Sequence, residues 1–291
     1  MTTPRNLDSR FIAARRVLLD ALHALAPQSS AVIVAGAQAI YLRTGDADFA
    51  LAPFTIDSDL AIDPTRLSDE PQLEVAMGGA DFELLVRDSG HVAPGIWVTQ
   101  ALIEGRPEKV PVDLIVPDGV APPGGRRGAR LGVHGNRAAL RLTGLEAALV
   151  DHSPVLITPL DPDDTRSITA EVAGPAALMI AKAHKINDRV NDGKTRRIMD
   201  KDASDVVRLM QTTAPSELGP VFATLLRDPV ASSSTHDGLN YLRQLFGRRA
   251  GAGVSMASSA LRAAIDPETV VVICNSFIAQ LDAALGGSPS E

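Results

Sequence analysis

The strongest constraint on this chain lies in residues 31–63. An apolar run, Ala31, Val32, Ile33, Val34 and Ala35, stops at Gly36, and a second apolar segment carries Asp57 and Asp59 two positions apart. Alternate strand residues share a face, so Asp57 and Asp59 project together while Ile56, Leu60 and Ile62 help bury the segment. Two carboxylates on one face repel unless a cation sits between them. Mg²⁺ is the usual answer, a hard ion that takes a few carboxylates together with phosphate oxygens.

At 291 residues the chain is long enough for a full core and two lobes. Hydrophobic residues at 45% and charged residues at 22% predict an ordered globular protein. The net charge of −7 means that any nucleic-acid binding must come from a local basic patch. Aromatic residues at 3% argue against a base-stacking platform. The single Cys274 excludes an internal disulfide and a cysteine zinc cluster, and suits a reducing compartment. The charged start MTTPRNLDSRF, and the lack of any uncharged run approaching the ~18 residues of a membrane span, lead us to expect a cytoplasmic protein that makes no use of a membrane.

Residues 9–26 repeat apolar positions at helical spacing, with Arg10, Arg15, Arg16 and Asp20 on the other side, and Pro27 ends the pattern. A short helix is expected from Ala37 to Arg43, and a helix or loop from Pro64 to Met77. Short β-rich runs follow in FELLV, GIWVTQALIE and VPVDLIV. In the last of these Asp113 alternates with apolar residues, and a strand beside that of Asp57 and Asp59 would bring it to the metal. Residues 121–141 hold five arginines (Arg126, Arg127, Arg130, Arg137, Arg141) and no acid, and the strand candidates SPVLITPL and SITAEVAG come next.

After Gly174-Pro175 the pattern becomes helical. PAALMIAKAHKINDRV carries Lys182, Lys185 and Arg189, and MDKDASDVVRLMQ carries Asp202 and Asp205. The expected division is an α/β lobe over residues 1–172 and an all-helical lobe over 173–291. His134 and His184 have no second ligand at zinc spacing.

A strand, a glycine turn, a helix and then D-x-D on the next strand resembles the site of the polymerase-β-like nucleotidyltransferase superfamily, through Gly36-Ala37 and Asp57-x-Asp59. ALMIAKAHKINDR followed by KDASDVVRLM resembles the lysine and aspartate helices of AbiE-type and MenT-type toxin nucleotidyltransferases. The resemblance covers most of residues 30–210. It implies an α/β (α+β) fold, a mixed-sheet lobe followed by a helical one. It also implies that Asp57 and Asp59 hold Mg²⁺ or Mn²⁺ with Asp113 as a further ligand, that Gly36 and Ala37 lie at the nucleotide, and that Lys182 holds the triphosphate of an NTP substrate. Asp205 would complete the site. The acceptor implied is the 3′ end of tRNA, and the partner implied is a cognate antitoxin that binds or modifies the chain.

The residues keep alternatives open. Lys185 competes with Lys182, and Asp202 with Asp205, three positions away on the same helix. A Thr55 hydroxyl two positions before Asp57 would lie near the phosphates. The seven lysines and arginines between Lys182 and Lys201, with the arginine loop, can grip an RNA backbone or can be a solvated face. Transfer to a small molecule is the rival activity. A non-catalytic nucleotide- or partner-binding protein is the rival class, favoured by Pro53 and Ile56 beside the acids.

Overall fold

The computed structural model describes residues 8–45, 56–124, 127–192 and 200–286. The first helical pattern folds as α1 (Ser9–Ala24), started by the Asp8 side chain, which accepts from the Arg10 N–H at 2.8 Å. Phe11, Ala14, Leu18 and Leu22 make its buried face. Arg15, expected on the polar side, is also buried, at 5% exposure. The helix yields at Leu25 to a 3-10 turn containing Pro27, which delivers the chain to β1 (Val32–Ala35).

Then come α2 (Gly36–Thr44), β2 (Ser58–Ile62), α3 (Leu73–Gly78), β3 (Glu83–Val86), β4 (Val92–Ile103), β5 (Arg106–Pro117), β6 (Leu140–Leu142), β7 (His152–Ile157) and β8 (Ile168–Ala173). Among the described residues these eight strands form one sheet, ordered β3-β4-β5-β2-β1-β8-β7, with β6 also on β5. The sheet is mixed: β1 runs antiparallel to β2 and parallel to β8, and β2 runs parallel to β5. Glu104 and Gly105, both at positive φ, close the β4–β5 hairpin, as a tight primed turn requires.

Arg10 of α1 reaches Glu108 at 3.3 Å, so α1 covers the face of β5 that carries Glu108, Val110, Val112 and Leu114. These three apolar side chains are fully buried, as is Leu60, the register partner of Leu114. Burial of that kind stabilises by roughly 1.5–3 kcal/mol per large side chain. Asp113 alternates onto the opposite face. Pairing of β4 with β5 stops at Ile96, because Gly95 at φ 74° turns the chain away; a Cβ there would sit 2.2 Å from the Leu140 amide. Glycine at that corner is what admits β6 to β5.

The helical part contains α4 (Pro175–Asn191), α5 (Asp200–Thr212), α6 (Pro215–Leu225), α7 (Ser232–Phe246), α8 (Ala252–Leu261) and α9 (Pro267–Gly286). Proline at the first turn of α4 and α6 costs no hydrogen bond. The Asp151 carboxylate accepts from the Ala177 N–H at 2.9 Å and so caps α4 from a distant stretch of chain. Helix α4 packs on α5 and α7, α5 on α8, and α6 on α9, around fully buried Phe222 and Phe246.

Two compact units result, and their division differs from a single cut near residue 172. Of the described residues, 8–38, 56–142 and 154–172 form one unit, while 39–45 and 143–153 cluster with 173–286. Side-chain bonds within the helical unit accompany this division. Arg43 donates to the Ala173 carbonyl at 3.0 Å, and Arg208 donates to Thr44 Oγ1 at 2.6 Å and the Gly45 carbonyl at 2.7 Å. Its guanidinium also lies 5.0 Å from the centre of the Tyr41 ring. Helix α9 is long and apolar enough, by length and composition, to cross a membrane, with Glu268 and Asp282 bounding its uncharged stretch. It packs on α6 and α8 here, with Val270, Cys274, Phe277, Ile278 and Leu281 buried.

Candidate active site

The sheet brings two predicted acids side by side. Ala35 pairs with Asp59 across β1 and β2, and Asp59 pairs with Asp113 across β2 and β5. Register partners on adjacent strands share a face at a strand spacing of about 4.8 Å, so both carboxylates stand together on the face opposite α1. Asp57, expected inside the strand, lies one residue before its start at Ser58. All three aspartates are half-buried.

Gly36 is required here twice over. Its φ is +61°, and a Cβ would fall 1.9 Å from Asp59 Oδ2. The carboxylate therefore rests against the backbone where α2 begins, with Ala37 next in that first turn. A helix N-terminus favours a nearby negative charge by about 0.3–1 kcal/mol, which offsets part of the repulsion between the acids.

The donor set is all oxygen. Among the described residues no three His, Cys, Asp or Glu side chains are gathered as a metal cluster. A Mg²⁺ or Mn²⁺ ion bound by one or two carboxylates, with water and phosphate oxygens filling its shell, fits the pair Asp59 and Asp113.

A second cluster lies within the helical unit. Lys182 on α4 is 5% exposed and donates to Asp202 Oδ1 at 2.6 Å and to Asp205 Oδ2 at 2.7 Å, both on α5. Lys185 approaches Asp202 at 3.4 Å and Arg189 pairs with its other oxygen. Burial alone would lower the Lys182 pKa, but the two carboxylates outweigh it and hold the ammonium well above the usual lysine range. Burial would likewise raise Asp202, and Lys182, Lys185 and Arg189 outweigh it, holding the carboxyl well below the usual range. The alternatives left open by the sequence are therefore both occupied: Asp202 and Asp205 share Lys182, and Lys185 stands beside them with 37% of its side chain exposed.

The sequence treated Asp202 as a competitor of Asp205, whereas it is the hub of the cluster. The signal was present in Lys182, Lys185 and Arg189, spaced three and four apart on one helical face and so in need of an acid opposite. Thr55, Pro53, Arg126, Lys194, Arg196 and Arg197 lie outside the described residues. In the arginine loop, Arg137 pairs with Glu74 at 3.4 Å and Arg141 with Asp118 at 2.7 Å, so part of that charge is spent. The histidines have structural partners. His134 Nδ1 accepts from the Leu73 N–H at 3.1 Å, and His184 Nε2 meets the Ser234 carbonyl at 2.8 Å.

No family model and no curated protein matches the chain. A solved structure described as an antigenic nucleotidyltransferase-like protein from Paracoccidioides brasiliensis is similar, with a TM-score of 0.43 and 15% identity over 90% of this chain and 96% of that one. That likeness is too distant to assign a family or an activity.

Proposed function

We propose that this chain is a metal-dependent nucleotidyltransferase that moves NMP from an NTP to an acceptor hydroxyl and releases pyrophosphate. The supporting observation is the carboxylate of Asp59, seated against the Gly36 turn and in register with Asp113. Nucleotidyl transfer asks little covalent chemistry of a protein and much charge neutralisation and positioning. When bound, a divalent ion supplies Lewis acidity at the phosphate and lowers the pKa of an attacking hydroxyl. Asp59 and Asp113 are the ligands of this reading, and Asp57 is the further oxygen donor. On the helical unit, Lys182 holds Asp205 in one orientation, and Lys185 is the more exposed of the two lysines.

The finer reading is a toxin whose acceptor is the 3′ end of tRNA, restrained by an antitoxin. It rests on the sequence resemblance and on the exposed Arg127 and Arg130 of the basic loop. A second reading, transfer to a small-molecule hydroxyl, draws support from the arginines already spent on Glu74 and Asp118. The test is to supply each α-labelled NTP with Mg²⁺ and either total tRNA or an aminoglycoside panel, beside Asp59→Asn. Label on tRNA that vanishes in the variant supports the toxin reading, and label on the small molecules supports the second. No product in either arm removes the activity.

A further inference from the structure

Beneath α1 the sheet unit contains a buried cation with no carboxylate partner among the described residues. The guanidinium of Arg15 donates through Nε to Gln38 Oε1 at 3.1 Å and through one Nη to the Thr158 carbonyl at 3.1 Å. Both acceptors are neutral. The nearest acids along the helix and its neighbouring loop are committed elsewhere, Asp161 to Arg16 and Asp20 to Arg166. Gln38 is fully buried; its oxygen accepts from Arg15, while its Nε2 amide has no hydrogen-bond partner among the described residues. Burial draws the Arg15 pKa down to about 10.

A buried charge costs free energy unless it is paired, and so does a buried donor left unbonded. The two side chains here pool their deficits: a positive guanidinium with N–H groups to spare adjoins an amide whose remaining N–H groups lack an acceptor. The bond to Thr158 is only partly buried, so the outer end of the guanidinium is within reach of solution. We propose that Arg15 and Gln38 form a binding site for one small, weakly hydrated monoanion of the halide class, held by the free guanidinium and amide N–H groups. A monoanion balances the single charge of Arg15, and weak hydration lets it leave water at small cost. The proposal does not depend on the activity proposed for Asp59 and Asp113.

Chloride NMR line broadening on the full chain tests this directly. The wild-type protein should broaden the chloride signal beyond that of Gln38→Glu, with bromide and iodide displacing chloride and fluoride failing to do so. Arg15→Met should lose the broadening by removing the cation. Gln38→Glu should also lose it, because its carboxylate supplies the missing counter-charge, and its Tm should rise. Wild-type Tm should increase from fluoride to bromide at equal ionic strength, opposite to the general salt series. Absence of wild-type broadening, equal broadening in folded Gln38→Glu, or failure of Gln38→Glu to fold would each overturn the proposal.

Discussion

At the scale of single residues, Gly36 carries the most specific consequence. Replacement by alanine imposes a Cβ 1.9 Å from Asp59 Oδ2 at a φ of +61°. The left-handed backbone alone costs roughly 1–2 kcal/mol for a residue with a Cβ. Gly36→Ala is therefore expected to lower the urea midpoint and to displace the carboxylate. In a double-mutant cycle, Asp59→Ser should restore the steric part and leave the backbone part. Additive losses would show that the glycine and the carboxylate do not touch. Asp113 makes a parallel point about legibility. Its residue type and strand were readable in VPVDLIV, but its place beside Asp59 was not, because β2 and β5 pair in parallel across a long stretch of chain that includes the β4–β5 hairpin.

At the scale of elements, α4 and α5 are joined through a buried set of charges. Lys182→Met leaves Asp205 buried without its ammonium partner, and removing one member of a buried pair typically costs about 3–5 kcal/mol. Lys182→Met combined with Asp205→Leu should recover much of that loss in chemical denaturation. The pH dependence follows from the two displaced groups. Asp202 is held below its ordinary value of 3.8, so the unfolded chain binds more protons between the two values. Its contribution is full above the unfolded value and is lost as pH falls through the folded one. Lys182 is held above its ordinary value of 10.5, so its contribution is full below that pH and is lost as pH rises through the folded value. The stability difference between wild type and Lys182→Met/Asp202→Asn/Asp205→Leu should thus be level from about pH 5 to pH 10 and shrink outside that range. A difference that changes across neutral pH would contradict this pairing.

The elements themselves were largely readable, because α1, α4 and α5 each carry a helical period in the sequence and β1 is an unbroken apolar run ended by Gly36. What the sequence did not show was set by partners far along the chain. Arg15 reads as one more charge on the polar side of α1, and only the positions of Gln38 and Thr158 bury it. Residues 39–45 read as part of the sheet lobe, and Arg43 and Arg208 assign them to the helical unit.

At the scale of the whole molecule, an acidic chain places two carboxylates, Asp59 and Asp113, together on one sheet face and spends several of its cations on internal pairs. Lys182, Lys185 and Arg189 all converge on Asp202, so a count of basic residues overstates the charge that a polyanion would meet. The account therefore stands or falls on the acids of β2 and β5. Titrating Mn²⁺ into the protein with a non-hydrolysable NTP, and following free Mn²⁺ by electron paramagnetic resonance, tests them most directly. The account predicts nucleotide-dependent binding that Asp59→Asn and Asp113→Asn each weaken, with the fold intact by circular dichroism. Binding unchanged in both variants, or no binding by the wild-type protein, would contradict it.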